Sequence, residues 1–118
     1  MEKHISHYFE SVKNLFKRSS TSLEQMRNEL ARQSCPKDRI DSVINGFLKD
    51  WIQTSIAKES TELSKLYDEL HSKVTGITTS HIDKLLEYMV TQDLIRIIDS
   101  KKVYNLKISI PNLPIDLN

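Results

Sequence analysis

The sequence predicts a mainly α-helical fold of five or so helices that ends in a β-hairpin. Three observations lead there. Apolar residues recur at steps of three, four and seven up to Asp93, the spacing of one helix face. Glycine occurs at Gly46 and Gly76 alone, and proline three times, so the chain carries few forced breaks. After Asp93 the texture changes to a short β-branched run followed by strict alternation, which is strand-like.

The elements follow in order. Ile5, Tyr8, Phe9, Val12, Leu15 and Phe16 mark one face of a helix from about His4 to Lys17. Arg18-Ser19-Ser20-Thr21 breaks that pattern. Ser22 with Gln25 three residues on is a capping-box signature, in which each side chain satisfies the other's free backbone N–H. The second helix then carries Leu23, Met26, Leu30 and Ala31 inward and ends near Ser34. Pro36 suits the first turn of a third helix, where a missing N–H costs nothing. That helix has the strongest apolar set in the chain: Ile40, Val43, Ile44, Phe47, Leu48, Trp51, Ile52 and Ile56. It is expected to be central. Gly46 within it costs roughly 1 kcal/mol relative to alanine and permits a close crossing.

Ser60 or Thr61 is expected to cap a fourth helix bearing Leu63, Leu66, Tyr67, Leu70 and Val74. Gly76 supplies a left-handed residue after it. Thr78 or Thr79 caps a fifth helix with Ile82, Leu85, Leu86, Met89 and Val90 inward. Leu94 to Ile98 then forms a short apolar strand. Past the polar turn Asp99-Ser100-Lys101-Lys102, Tyr104, Leu106, Ile108 and Ile110 alternate with Val103, Asn105, Lys107 and Ser109. This reads as a half-buried strand with the first set as its apolar face. Pro111 and Pro114 end regular structure, leaving residues 111–118 as a loose tail.

Composition narrows the function. The 118 residues suit one domain. Lys plus Arg total 17 and Asp plus Glu 16, far from the basic footprint of a dedicated nucleic-acid binder. No run nears the roughly 18 apolar residues of a membrane span. The single cysteine, Cys35, cannot form an internal disulfide, and no signal-peptide pattern opens the chain, so an intracellular (cytoplasmic or nuclear) protein is expected. With two glycines, neither the dinucleotide fingerprint nor the P-loop can be written. No cofactor and no small-molecule substrate is expected.

The order from Thr78 onward carries the most information. A capped helix (Ile82, Leu85, Leu86, Met89) is followed by Asp93-Leu94-Ile95-Arg96-Ile97, a turn, and Tyr104-Asn105-Leu106. This resembles the second half of a winged-helix domain: recognition helix, strand, wing, strand. The Thr61-to-Lys73 helix and the turn around Gly76 resemble its preceding helix and turn, and the Ile40-to-Ile56 helix its first. The resemblance spans roughly Ile40 to Ile110. It divides the chain into a helical pair (1–34), a winged-helix-like domain (35–110) and the tail (111–118), packed as one unit.

Such domains bind either DNA or proteins. The exposed positions expected on the fifth helix (Ser80, His81, Asp83, Lys84, Glu87, Tyr88) are near neutral, whereas base reading favours Arg, Lys, Asn and Gln. The resemblance thus implies a non-catalytic protein–protein interaction module, a subunit or adaptor. The alternative is a DNA-binding regulator in which Thr79, Ser80, His81 and Lys84 face the groove and Lys101 and Lys102 touch phosphate. For the protein-binding reading, the candidate contacts are Tyr8, Phe9, Val12 and Phe16 on the first helix and Ile110, Leu113 and Ile115 in the tail. The first-helix face either packs on its own domain or docks to a partner or a second copy. A basic cluster (Lys13, Lys17, Arg18, Arg27, Arg32, Lys37, Arg39) interleaved with Glu10, Glu24, Glu29 and Asp38 is either a solvated surface or a phosphate contact. Cys35, beside a helix start, is read as an inert thiol because no base is placed for it. His4 and His7 share a face, but two ligands fall short of a zinc site.

Overall fold

The computed structural model describes residues 5–18, 21–56 and 60–106. Five helices dominate: α1 (Ile5–Arg18), α2 (Leu23–Arg32), α3 (Lys37–Ser55), α4 (Leu63–Lys73) and α5 (Thr79–Thr91). Five short strands join them: β1 (Thr21–Ser22), β2 (Ser60–Glu62), β3 (Val74–Thr75), β4 (Ile95–Ile98) and β5 (Lys102–Asn105). The mainly helical fold with a terminal hairpin is as the periodicity predicts. The Ser22–Gln25 capping box forms in full, and Thr78 caps α5 by accepting from the His81 N–H.

The sheet holds one strand more than the sequence predicts. β2, β5 and β4 lie side by side in that order, both pairs antiparallel. Residues 60–62 are therefore a strand rather than a cap. Glu62 is the N-cap of α4 and makes no side-chain capping bond. The Leu63 N–H donates instead to the Lys101 carbonyl at 2.7 Å, so the hairpin turn supplies the acceptor. The hairpin loop is three residues, Asp99-Ser100-Lys101; Asp99 and Ser100 both have positive φ, and the Lys101 N–H donates to the Ile98 carbonyl at 3.0 Å. A second, parallel pairing joins β1 to β3 (Thr21 to Val74, Ser22 to Thr75) and ties the start of α2 to the end of α4.

Two helices, α2 and α5, are followed by a left-handed residue that is not glycine. Ser34 and Asp93 adopt φ of 65° and 59°. Beyond each, an N–H reaches back to the last turn: Cys35 to Leu30 O at 2.9 Å, Leu94 to Met89 O at 2.9 Å. This is the Schellman arrangement, and it places two L-residues in a region that glycine occupies more cheaply.

One apolar cluster runs from Tyr8 to Val103. The central position expected for α3 holds: Val43, Ile44, Phe47, Leu48 and Ile52 are buried. α1 covers one flank through an aromatic seam. Phe16 meets Phe47 edge-on at 4.8 Å, and Phe9 meets it at 6.2 Å. Gly46 makes room for this crossing, since a Cβ there would lie 3.1 Å from Phe9 Cζ. Ala31 and Val90, expected inward, are exposed instead, at the margins of their helices' apolar stripes.

The facing of β5 is the opposite of the expected one. Val103 and Asn105 are buried, whereas Tyr104 and Leu106 are half-buried. The reason is the end of α3. Helix C-terminal carbonyls lack partners within the helix, and Asn105 Nδ2 donates to Gln53 O at 2.7 Å and Ile56 O at 3.1 Å. Its Oδ1 accepts from Gln53 Nε2 at 2.6 Å, and Gln53 Nε2 also donates to Leu94 O. A polar residue is therefore fully satisfied at a core position. Ile108 and Ile110 lie outside the described residues.

Candidate interaction surface

α3 is flanked by two surface grooves, and its sequence accounts for both. Asn45 and Lys49 fall on one side at a four-residue step, facing α5. Asp50, Trp51 and Thr54 fall on another, facing α1.

The α3–α5 groove encloses about 460 Å³. His81 is half-buried there, with Nε2 2.8 Å from Asn45 Oδ1. Burial chiefly, with the nearby Arg27 charge, pulls the His81 imidazole below its usual pKa; Asp41 opposes this and Lys84 adds to it. The neutral ring is the form that results. The Lys49 ammonium sits 3.8 Å over the Tyr88 ring, a cation–π contact. Tyr88 is 48% exposed and Val90 40%, the two large apolar side chains on the open surface among the described residues.

The residues proposed for DNA contact divide between two places. Thr79, Ser80, His81 and Lys84 lie at the start of α5; Lys101 and Lys102 lie at the hairpin turn. Thr79 meets His71 near the end of α4 (3.3 Å), whereas Lys101 bonds Leu63 at its start. About 12 Å of helix separates those two points at 1.5 Å per residue. The α5 start is also engaged within the chain. His81 is held by Asn45, Thr79 is beside His71, and Asp83 accepts a hydrogen bond from the Tyr67 hydroxyl. Burial and then that carboxylate push Tyr67 up to about 12. Ser80, Lys84, Lys101 and Lys102 remain exposed.

The first-helix face is not a free surface. Tyr8, Val12 and Phe16 are buried, and Phe9 is partly buried against Gly46 and Phe47. α1 packs on α2 and α3 of the same chain, with Phe9 and Phe16 against α3, so in this structure the face is taken up by packing. Ile110, Leu113 and Ile115 lie outside the described residues. Cys35 is buried, and desolvation pushes its thiol up, the opposite of nucleophile activation. His4 lies outside the described residues, and His7 bonds Gln33 Oε1 at 3.2 Å. Among the described residues no group of three His, Cys, Asp or Glu is placed to hold a metal, and no helix is long and apolar enough to cross a membrane.

The basic cluster separates into two parts. Arg27 pairs with Asp41 and Arg32 with Glu29, so the α2 side is a solvated ion-paired surface. Lys13 and Lys17 belong to the second groove instead, where they meet Lys73 of α4. Sequence reasoning missed that association because Lys73 is far away in the chain. No family model, curated protein or solved structure matches this chain.

Proposed function

We propose that this chain is a non-catalytic protein–protein interaction module, a subunit or adaptor of a larger intracellular assembly, built on a winged-helix-like domain. The order α3, β2, α4, α5, β4, β5 with the sheet arranged β2-β5-β4 supports the domain reading. On that reading α5 stands where the recognition helix stands. The observation that carries the functional reading is what α5 offers to a partner. Thr79, His81 and Asp83 near its start are hydrogen-bonded within the chain, and the large apolar side chain it exposes beside α3 is the Tyr88 ring, under Lys49. An aromatic with a charged neighbour is a typical protein-interface anchor. Asp83 and Glu87 on the same helix repel a phosphate backbone.

The test is a pull-down alongside a DNA titration. Tyr88→Ala removes the anchor while leaving the core intact. Loss of a partner that wild type retains, with an unchanged thermal transition, is the expected result. A mixed duplex at roughly 50 mM salt, where phosphate contacts are strong, is expected not to bind. Salt-sensitive duplex binding that Lys84→Glu and Lys101→Glu abolish would replace this reading with the DNA-binding one.

A further inference from the structure

The second groove lies between α1, α3 and the end of α4 and encloses about 480 Å³. Its floor is aromatic. Phe16 is buried there, and the half-buried Trp51 ring stands 6.3 Å from it, edge-on. Its rim is cationic. Lys13 and Lys17 are one turn apart on α1, so both ammonium groups project along the same edge. Lys73 closes the opposite side, its Nζ 6.0 Å from the Phe16 ring. Asp50 is the single carboxylate in the lining, against three lysines. None of the three lysines forms an ion pair among the described residues, whereas Arg27 and Arg32 do.

Apolar floor and cationic rim together select a ligand chemistry. A duplex carries charge but keeps its bases stacked away from Trp51, whereas a single strand can stack a base on the ring and is the competing occupant. A purely apolar peptide leaves three ammonium groups facing it without partners. A segment with an apolar anchor flanked by Asp or Glu satisfies both at once: the anchor covers Trp51 and Phe16, and the carboxylates meet the lysines. The size of the groove is that of a site for one or two large side chains.

We infer that the α1–α3–α4 groove docks an acidic segment of a partner protein, whose apolar anchor lies on Trp51 while its carboxylates engage Lys13, Lys17 and Lys73. This site is separate from the α5 surface and stands or falls independently of it. Binding there weakens as salt rises, because Lys13 and Lys17 are exposed and screened, with Lys73 half-buried.

Trp51 is the sole tryptophan, so intrinsic fluorescence reports the groove directly. The experiment is a random-peptide display selection on the whole chain, followed by fluorescence titration of the selected peptides. The expected enrichment is acidic residues flanking Leu, Ile, Phe or Trp. The expected titration is a shift of Trp51 emission that weakens roughly tenfold or more in the variant Lys13→Glu/Lys17→Glu/Lys73→Glu. Lys→Arg at the same three positions is expected to restore binding, and thermal unfolding confirms that each variant is folded. Enrichment of basic or uncharged sequences, no enrichment over the triple variant, or peptides that bind without moving Trp51 emission would each overturn the inference. Polyglutamate that matches the selected peptides in affinity would overturn it as well, because the floor would then contribute nothing, and so would a matching single-stranded oligonucleotide, whose bases would stack on Trp51 and make nucleic acid the occupant.

Discussion

The two flanks of α3 are held by different physics. Toward α1 the contact is an aromatic seam of Phe9, Phe16 and Phe47, closed over a glycine. All polarity on that side is pushed to the rim, where the lysines stay unpaired among the described residues. Toward α5 the buried contact is again apolar, but polar groups join across the groove: Asn45 with His81 and Lys49 with Tyr88. The difference teaches where binding capacity remains. A flank that settles its charges internally offers exposed carbon, in Tyr88. A flank that settles its carbon internally offers exposed charge.

The aromatic seam predicts the largest effect. Phe47→Ala removes the ring that both Phe9 and Phe16 abut and is expected to cost about 3–5 kcal/mol, read by chemical denaturation. The α5 flank has no single comparable ring, so Tyr88→Ala is expected to leave stability nearly unchanged. A large loss there would break the comparison.

The end of α3 gives the next effect. Asn105→Ala strands the Gln53 and Ile56 carbonyls at the end of α3, at a cost of about 1–3 kcal/mol. Asn105→Leu is expected to lose as much despite its added carbon, which separates polar satisfaction from cavity formation.

The His81 environment sharpens the comparison through pH. Its folded pKa lies below the ordinary 6.5, so the unfolded chain binds more protons in the window between the two values. Stability therefore rises with pH through that window; the His81 contribution is present above about 6.5 and is lost as pH falls through the folded value. His81→Gln keeps a hydrogen-bonding group near Asn45 and is expected to flatten this part of the stability profile. An identical profile in wild type and variant would contradict the burial that the groove imposes.

The smallest effect concerns Asp93. Glycine at this left-handed position relieves the L-residue penalty, so Asp93→Gly is expected to raise stability by about 0.5–1 kcal/mol, read as a higher thermal midpoint. A lower midpoint would mean that the Asp93 side chain contributes more than its backbone costs.

Most helices are legible in the sequence because their apolar stripes are long and their caps local. Ser22 with Gln25 and Thr78 with His81 are decided within one turn of chain. The misses share a cause: the deciding partner is distant. β2 is three residues, Ser60-Thr61-Glu62, without a pattern of its own; its partner is β5, some forty residues on. Asn105 faces inward because α3 ends beneath it, which no alternation rule records. The first-helix residues Tyr8, Val12 and Phe16 are legible as an apolar face, but that α2 and α3 cover this helix is decided by the fold. Lys13 and Lys17 read as part of a diffuse basic cluster, and only folding sets them opposite Lys73 around Trp51.

The central claim is that this chain works by contacting protein through α5. A photo-crosslinking residue, Tyr88→benzoylphenylalanine, tests it most directly in cells expressing the whole chain. The account predicts a discrete protein adduct that resists nuclease and is lost when the crosslinker replaces the buried Leu86. An adduct destroyed by nuclease, or no adduct at position 88, would contradict it.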